Sequence, residues 1–222
     1  TSTTTARSGR MLRFVVGQSS MPAVDFFAPD APRFTPDPAV SLALDASSRA
    51  FTLTSNATMA LRGRASSAPF ELVVDVGDAD IYGFGAHTGR ATKNGSKFRL
   101  LTLDTIFFQI EGASYTAMPF FIARSPSTGA CVAVLLATTF PLDVAIENGH
   151  VAIKAACDVE GSALDVVVFT GTPSEIVRDL ASLVGRTFLP PAWALGFQQS
   201  RWSYKTSDEV LDVARRFRAE DL

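Results

Sequence analysis

The stretch LDVAIENGHVAI, residues 142–153, decides how the chain is read. Leu142, Val144 and Ile146 alternate with Asp143, Ala145 and Glu147, and Val151 and Ile153 resume the alternation beyond Asn148-Gly149. A period of two gives an extended strand one apolar face. Asn-Gly supplies the two positive φ angles that a tight hairpin turn requires. The stretch therefore predicts a β-hairpin with one buried side. Outward from it, Val40, Leu42 and Leu44 alternate in the same way. Short apolar segments recur at 51–53, 59–61, 70–76, 98–103, 120–122, 131–136 and 164–169, punctuated by Gly, Pro, Asn, Asp and Ser. Residues 11–171 thus read as a mainly β domain, a sandwich or barrel. No internal repeat argues for a propeller or solenoid.

The period changes at residue 172. Thr172-Pro173-Ser174-Glu175 carries an N-cap, a proline at the first helical position and a glutamate three residues after the cap. Ile176, Val177, Leu180, Leu183 and Val184 then form one face, and Gly185 is a natural stop. Pro190-Pro191 begins a stiff extended connection and marks the best domain boundary. Residues 172–192 are therefore expected to form a helix and a Pro-rich connection. Beyond them, Trp193–Phe197 reads as a short hydrophobic strand, and 198–204 as a polar and aromatic stretch. Thr206-Ser207-Asp208-Glu209 repeats the capping pattern ahead of an apolar stripe at Val210, Ala214 and Phe217. One strand and one helix cannot bury their faces alone. Residues 193–222 are expected to open a second, α/β domain that this chain does not complete. Residues 1–10, TSTTTARSGR, are polar and read as a flexible tail.

Composition bounds the function. Hydrophobic residues are 47% and charged residues 19% of the 222, which excludes an intrinsically disordered chain. A net charge of −2 recommends neither nucleic acid nor an anionic membrane as partner. The longest wholly apolar run, Ala130 to Ala137, is eight residues, against about twenty for a spanning helix. No signal peptide is visible and residue 1 is Thr, so the chain is expected to be processed, engineered or cut from something longer. Two cysteines exclude a disulfide-rich scaffold; Cys131 sits in the apolar run as a core residue, and a bridge to Cys157 stays open. His87 and His150 have no second ligand at metal-binding spacing, so no metal or cofactor is expected. Asn56-Ala57-Thr58 and Asn94-Gly95-Ser96 are glycosylation sequons if the chain is secreted.

A catalytic set is not evident from spacing. Gly83, Gly85 and Gly89 in YGFGAHTG are followed by no dinucleotide-type helix and read as turn glycines. No nucleophile elbow or Ser/His/Asp arrangement occurs. Two features stand out. Asp104 ends the strand-like FRLLTLD and precedes a loop with Phe107, Phe108 and Tyr115. It is either a turn cap or a site carboxylate. Arg201-Trp202 follows a barrel-like strand, where the ends of barrel strands face the active site. An exposed Trp there is a platform for the C–H face of a sugar; the alternative is a Trp packed beneath a loop.

The segment PPAWALGFQQSRWSYKTSDEVLDVARRFRAEDL, residues 190–222, resembles the start of the catalytic barrel of glycoside hydrolase family 31, the α-glucosidase and α-xylosidase family. The pattern is two prolines, a Trp, Leu and Gly, then Arg-Trp-x-Tyr and an amphipathic helix. Upstream, YGFGAHTG, FRLLTLD and SYTAMPFFIARS follow in the order of that family's N-terminal domain. Ala86 stands where the family often has Glu, a residue that is not a catalytic carboxylate.

The resemblance implies a galactose-mutarotase-like N-terminal β-sandwich followed by the opening strand and helix of a (β/α)8 barrel. It implies a retaining glycosidase acting on α-linked glucosides or related oligosaccharides, with the rest of the barrel as the partner of this segment. Such enzymes set two carboxyl groups about 5–5.5 Å apart. The resemblance places both beyond this chain, so no catalytic residue is expected within it. It matches Asp104 and Trp202 to the lining of the sugar pocket and gives Arg201 a supporting place behind it. The alternative is a non-catalytic carbohydrate-binding or structural sandwich module.

Overall fold

The structure, a computed structural model, describes residues 3–17, 27–35, 37–55, 58–67, 69–87, 89–102, 115–157 and 163–221. They fall into two compact units, Thr1–Arg186 and Thr187–Leu222. The first unit opens with β1 (Thr3–Ser8), β2 (Met11–Val16), β3 (Val40–Leu44), β4 (Ala50–Ser55), β5 (Thr58–Ser67) and β6 (Phe70–Asp75). Then come β7 (Asp80–Gly85), β8 (Lys97–Leu100), β9 (Ala117–Arg124), β10 (Cys131–Leu136), β11 (Leu142–Glu147), β12 (His150–Ala155) and β13 (Leu164–Gly171). Helix α1 (Pro173–Val184) closes the unit. The strands form two antiparallel sheets, ordered β1-β2-β13-β10-β9-β7 and β3-β4-β5-β6-β12-β11-β8.

The hairpin read from residues 142–153 forms as expected. Glu147 pairs with His150, and Asn148 and Gly149 take φ of 53° and 75°. Its apolar residues Val144, Ile146, Val151 and Ile153 point into the core between the sheets. Phe14 of β2 and Phe51 of β4 span that core with ring centroids 5.2 Å apart. The outer face of the seven-stranded sheet is wet. Arg99, Asp143, Lys154 and Glu71 lie in one cross-strand row, with Arg99–Asp143 at 2.7 Å and Lys154–Glu71 at 3.3 Å. Exposed pairs of this kind contribute little stability; they keep the face soluble.

The six-stranded sheet is covered on both sides, and its central strands read accordingly as unbroken apolar runs. In β13, Val166 and Val168 face the inter-sheet core, whereas Val167 and Phe169 face outward. Ile176, Leu180 and Leu183 of α1 bury themselves against that outer face, with Phe27 and Phe34 partly buried beside them. Full burial contributes about 1.5–3 kcal/mol per large apolar side chain. The helix begins in the capping box that its sequence predicts. The Glu175 N–H donates to the Thr172 hydroxyl, and the Thr172 N–H donates to Glu175 Oε2 at 2.9 Å. The Ala28 N–H donates to the Leu183 carbonyl at 2.8 Å, one of the acceptors orphaned at the helix end. Helix α1 thus belongs to the first unit.

Two expectations are corrected. The supposed tail 1–10 contains β1, which pairs with β2 from Thr3↔Val16 to Ser8↔Met11. Its threonines are β-branched and suit an edge strand, where polarity is no obstacle. The Gly9-Arg10 turn that follows is tied to α1, with Arg10 donating to Glu175 and Asp179 at 3.2 and 3.1 Å. The expected strand Trp193–Phe197 is instead a 3-10 turn, Ala192–Leu195. The Ala194 N–H donates to the Pro191 carbonyl at 2.9 Å. A strand needs a laddered neighbour, and the described residues of 187–222 form none. Cys131 is buried as expected, Cys157 is exposed, and both thiols are free. No helix among the described residues is long and apolar enough to cross a membrane.

The clamp on α1 is pH-sensitive. The Thr172 backbone N–H, the Thr172 hydroxyl and the Arg10 charge hold the Glu175 carboxyl below the usual glutamate range. A depressed folded-state pKa stabilises the fold above the unfolded value, and the benefit is lost as pH falls through the folded one. Glu175→Gln is expected to lower the melting temperature at neutral pH. The gap to the parent should close below the ordinary glutamate pKa of about 4.3; melts at a series of pH values check it, and a gap independent of pH contradicts it. A second expectation concerns Gly63 in β5. A Cβ there would overlap the Val73 carbonyl and sit 3.1 Å from the Phe51 ring. Gly63→Ala should cost about 1–3 kcal/mol by overpacking, or roughly 2–12 °C in melting temperature, measurable by calorimetry.

Candidate functional site

The first unit holds three consecutive residues at positive φ in one of its strands. Strand β7 ends in Gly83-Phe84-Gly85, with φ of 120°, 66° and 94°. Glycine adopts such angles freely, but for Phe they are an outlier. A residue held this way costs of order 1–3 kcal/mol and persists only where its surroundings over-determine it. Here the surroundings are aromatic. The fully buried Phe84 ring stacks on Phe121 at 5.3 Å and meets Phe98 of β8 edge-on at 5.3 Å. The pairing of β7 with β9 shifts register between Gly83 and Gly85, which makes the segment a bulge. A Cβ on Gly83 would lie 2.5 Å from the Phe120 carbonyl oxygen, and one on Gly85 would overlap the Thr116 carbonyl. These two glycines are therefore bulge residues inside a strand and not, as the sequence suggested, turn residues.

Past the bulge the chain folds back on itself. The Ala86 N–H donates to the Thr116 carbonyl at 3.2 Å. His87 Nε2 lies 2.9 Å from the Phe84 carbonyl oxygen, so the Nε2–H tautomer donates to it, and the imidazole packs 4.5 Å from the Phe98 ring centroid. The connection to β8 is pinned at further points. The Asn94 side chain accepts from the Ile81 N–H and donates to the Ala79 carbonyl, at 2.9 and 2.8 Å. The buried Lys93 donates through Nζ to the Arg90 carbonyl at 2.8 Å.

Asp104, Phe107 and Phe108 lie outside the described residues. What flanks them is described: β8 on one side, Tyr115 and β9 on the other. Leu100, Leu101, Met118, Pro119, Leu135 and Phe140 line an apolar cavity of about 500 Å3 there.

In the second unit, Trp202 sits at the tip of a tight turn and is fully exposed. The Ser203 N–H donates to the Arg201 carbonyl at 2.7 Å, and Ser203 takes a φ of 71°. The Arg201 guanidinium carbon lies 4.9 Å from the Tyr204 ring centroid, and Gln199 Nε2 donates to the Tyr204 hydroxyl at 3.3 Å. Arg201 thus braces the turn through Tyr204 by a cation–π contact. Tyr204 and Gln199 were not among the residues singled out from sequence; the Arg-x-x-Tyr spacing around the Trp was the available signal. Helix α2 (Ser207–Ala219) follows, capped by Thr206, and its Phe217 packs against Phe197 at 5.4 Å. Among the described residues no group of three or more His, Cys, Asp or Glu side chains could hold a metal ion.

The sequence profile of the glycosyl hydrolase 31 N-terminal galactose mutarotase-like domain matches residues 24–144, and that of the glycosyl hydrolases family 31 TIM-barrel domain matches residues 187–222. The chain belongs to glycoside hydrolase family 31. It is 32% identical over 146 residues to alpha-glucosidase 2 of Bacillus thermoamyloliquefaciens, covering 64% of this chain and 18% of that enzyme. It is 28% identical over 165 residues to the glucosidase 2 alpha subunit of Schizosaccharomyces pombe, covering 67% of this chain and 18% of that protein. The chain therefore spans about a fifth of the length of these relatives, within their N-terminal portion. A Flavobacterium johnsoniae family 31 dextranase solved with isomaltotriose shares the fold, with a TM-score of 0.59 at 19% identity over 96% of this chain and 29% of the other.

Proposed function

We propose that these residues are the N-terminal part of a retaining α-glycosidase, α-glucosidase-like, acting on α-linked glucosides or related oligosaccharides. The observation that carries the reading is the pair of family matches, sandwich then barrel opening, in one chain and in family order. The two reacting carboxyl groups belong to barrel strands beyond residue 222. In the first step one carboxylate attacks the anomeric carbon while the glycosidic C–O bond breaks, and the other carboxyl gives its proton to the leaving oxygen. In the second step that second group takes a proton from water, and the water oxygen displaces the enzyme carboxylate from the anomeric carbon. A stand-alone carbohydrate-binding module would have no use for a barrel segment whose Trp193, Leu195 and Phe197 are about three-quarters exposed.

Within this reading the chain supplies binding groups. Trp202 offers a bare indole face for the apolar face of a pyranose ring. Arg201 holds the turn from behind, through Tyr204. Asp104 accepts hydrogen bonds from sugar hydroxyls; bonds to a charged acceptor contribute about 1.5–3 kcal/mol.

Two substitutions in the complete enzyme test these roles. Trp202→Ala, if it removes roughly 100 Å² of apolar contact at about 25 cal/mol per Å², should cost about 2.5 kcal/mol, or one to two orders of magnitude in kcat/KM. A loss under about threefold with the fold intact makes Trp202 structural. Asp104→Asn should weaken sugar affinity about tenfold or more with little change in melting temperature, since Asn caps turns nearly as well as Asp. Unchanged affinity makes Asp104 a turn cap.

A further inference from the structure

Two Asn-Gly dipeptides occur in the chain, Asn94-Gly95 and Asn148-Gly149. Neither is part of the proposed sugar site, and an asparagine before glycine carries a chemistry of its own. The glycine nitrogen, unhindered by any side chain, can attack the asparagine Cγ. The structure sets the two pairs apart. Asn94 is held at both ends of its amide: the Ile81 N–H donates to Oδ1 at 2.9 Å, and Nδ2 donates to the Ala79 carbonyl at 2.8 Å. The Gly95 N–H, the group that would have to attack, donates to the Ile146 carbonyl at 2.8 Å. Asn148 sits exposed at the tip of the β11–β12 hairpin, at a φ of 53°. Among the described residues its side chain has no hydrogen-bond partner, and the Gly149 N–H donates to none. What the turn does fix is the next group along. The Gly149 carbonyl accepts from the Val76 and Gly77 N–H groups at 2.8 and 3.0 Å, and these bonds tie the hairpin to the residues that follow β6.

We propose that Asn148 is a site of spontaneous covalent modification, converting through a cyclic imide to aspartate and isoaspartate, and that Asn94 is held against the same reaction. The Gly149 nitrogen gives its proton to solvent base and bonds to Asn148 Cγ; the Cγ–Nδ2 bond breaks and ammonia leaves. Water then adds to one of the two imide carbonyls and the ring opens. One water is consumed for each ammonia released, and no oxidant or cofactor takes part. Addition at Cγ gives aspartate, which suits this turn as asparagine does. Addition at the backbone carbonyl breaks the original peptide bond and routes the chain through Cβ and Cγ. That isomer lengthens the backbone by one carbon and displaces the Gly149 carbonyl from the Val76 and Gly77 N–H groups. At Asn94 the attack must first break three hydrogen bonds, which at ordinary strength slow it at least about tenfold.

The complete enzyme is incubated at mildly alkaline pH, native and unfolded in urea, until the unfolded sample has converted. Peptide mapping by mass spectrometry follows the gain of about one dalton at each asparagine, and enzymatic methylation of isoaspartate reads the isomer. In urea, without the native hydrogen bonds, the two sites should convert within about threefold of each other. In the native enzyme Asn148 should convert at least about tenfold faster than Asn94. The aged enzyme should melt below the fresh one in proportion to its isoaspartate. Asn148→Gly, which keeps a Gly-Gly turn and has no amide, should hold its melting temperature through the same incubation. An Asn148 that stays intact in the native enzyme while converting in urea overturns the proposal, because the turn's own backbone then protects it. Equal native rates at the two sites overturn it as well, since the bonds to Asn94 and Gly95 would then protect nothing. An equal fall in melting temperature in the parent and in Asn148→Gly overturns the consequence assigned to the isomer.

Discussion

The six-stranded sheet has apolar side chains on both faces, and each face must be covered. Leu164, Val166 and Val168 point one way along β13, and Val167 and Phe169 the other. The second sheet satisfies the first set. The other set would expose a broad apolar patch if α1 and the segment around Phe27 and Phe34 did not lie over it. Much of the first unit follows from this need. The capping box fixes where α1 starts, Arg10 ties its first turns to the β1–β2 hairpin, and the Ala28 N–H meets its C-terminal carbonyl. The second sheet needs one cover only, so its outer face is free to carry alternating charges.

That asymmetry explains which parts of the fold were legible. Strands β11 and β12 are buried on one side, so their period of two survives in the sequence and predicts the hairpin directly. Helix α1 was legible at both ends, because Thr172, Pro173, Glu175 and Gly185 each do a chemically specific task. Strand β1 was not legible, since an edge strand needs only a partner to bond with, and its polar threonines carry no apolar alternation. At Trp193–Phe197, apolar content alone was taken for a strand. The governing feature was Pro191, whose fixed φ and free carbonyl start a 3-10 turn.

The site was legible unevenly for a related reason. Chemistry that resides in one side chain is visible in a sequence, so Asp104, Arg201 and Trp202 could be named as candidates, of which the described residues include Arg201 and Trp202. Geometry shared among residues is not. Gly83 and Gly85 announce a special backbone, but nothing in the letters says that the Phe between them also takes a positive φ. That angle is imposed by Phe121, Phe98 and the bulge pairing, which are distant in sequence. Likewise Tyr204 has no individual mark; it matters because the Arg201 guanidinium rests on its ring.

Two strained backbone positions are built in one manner. A residue is held at a positive φ, Phe84 in one unit and Ser203 in the other, and neighbouring side chains hold it there. A carbohydrate offers weak, numerous contacts, each sensitive to displacement, so groups that recognise it gain most from being fixed before it arrives. Flexible loops would give up part of each hydrogen bond or stacking contact as ordering entropy on binding. Strain in the unbound protein moves that cost into folding, where the aromatic core around Phe84 and the Arg201–Tyr204 contact offset it. The turn that carries Trp202, the residue proposed to meet a sugar, is then set before the sugar arrives.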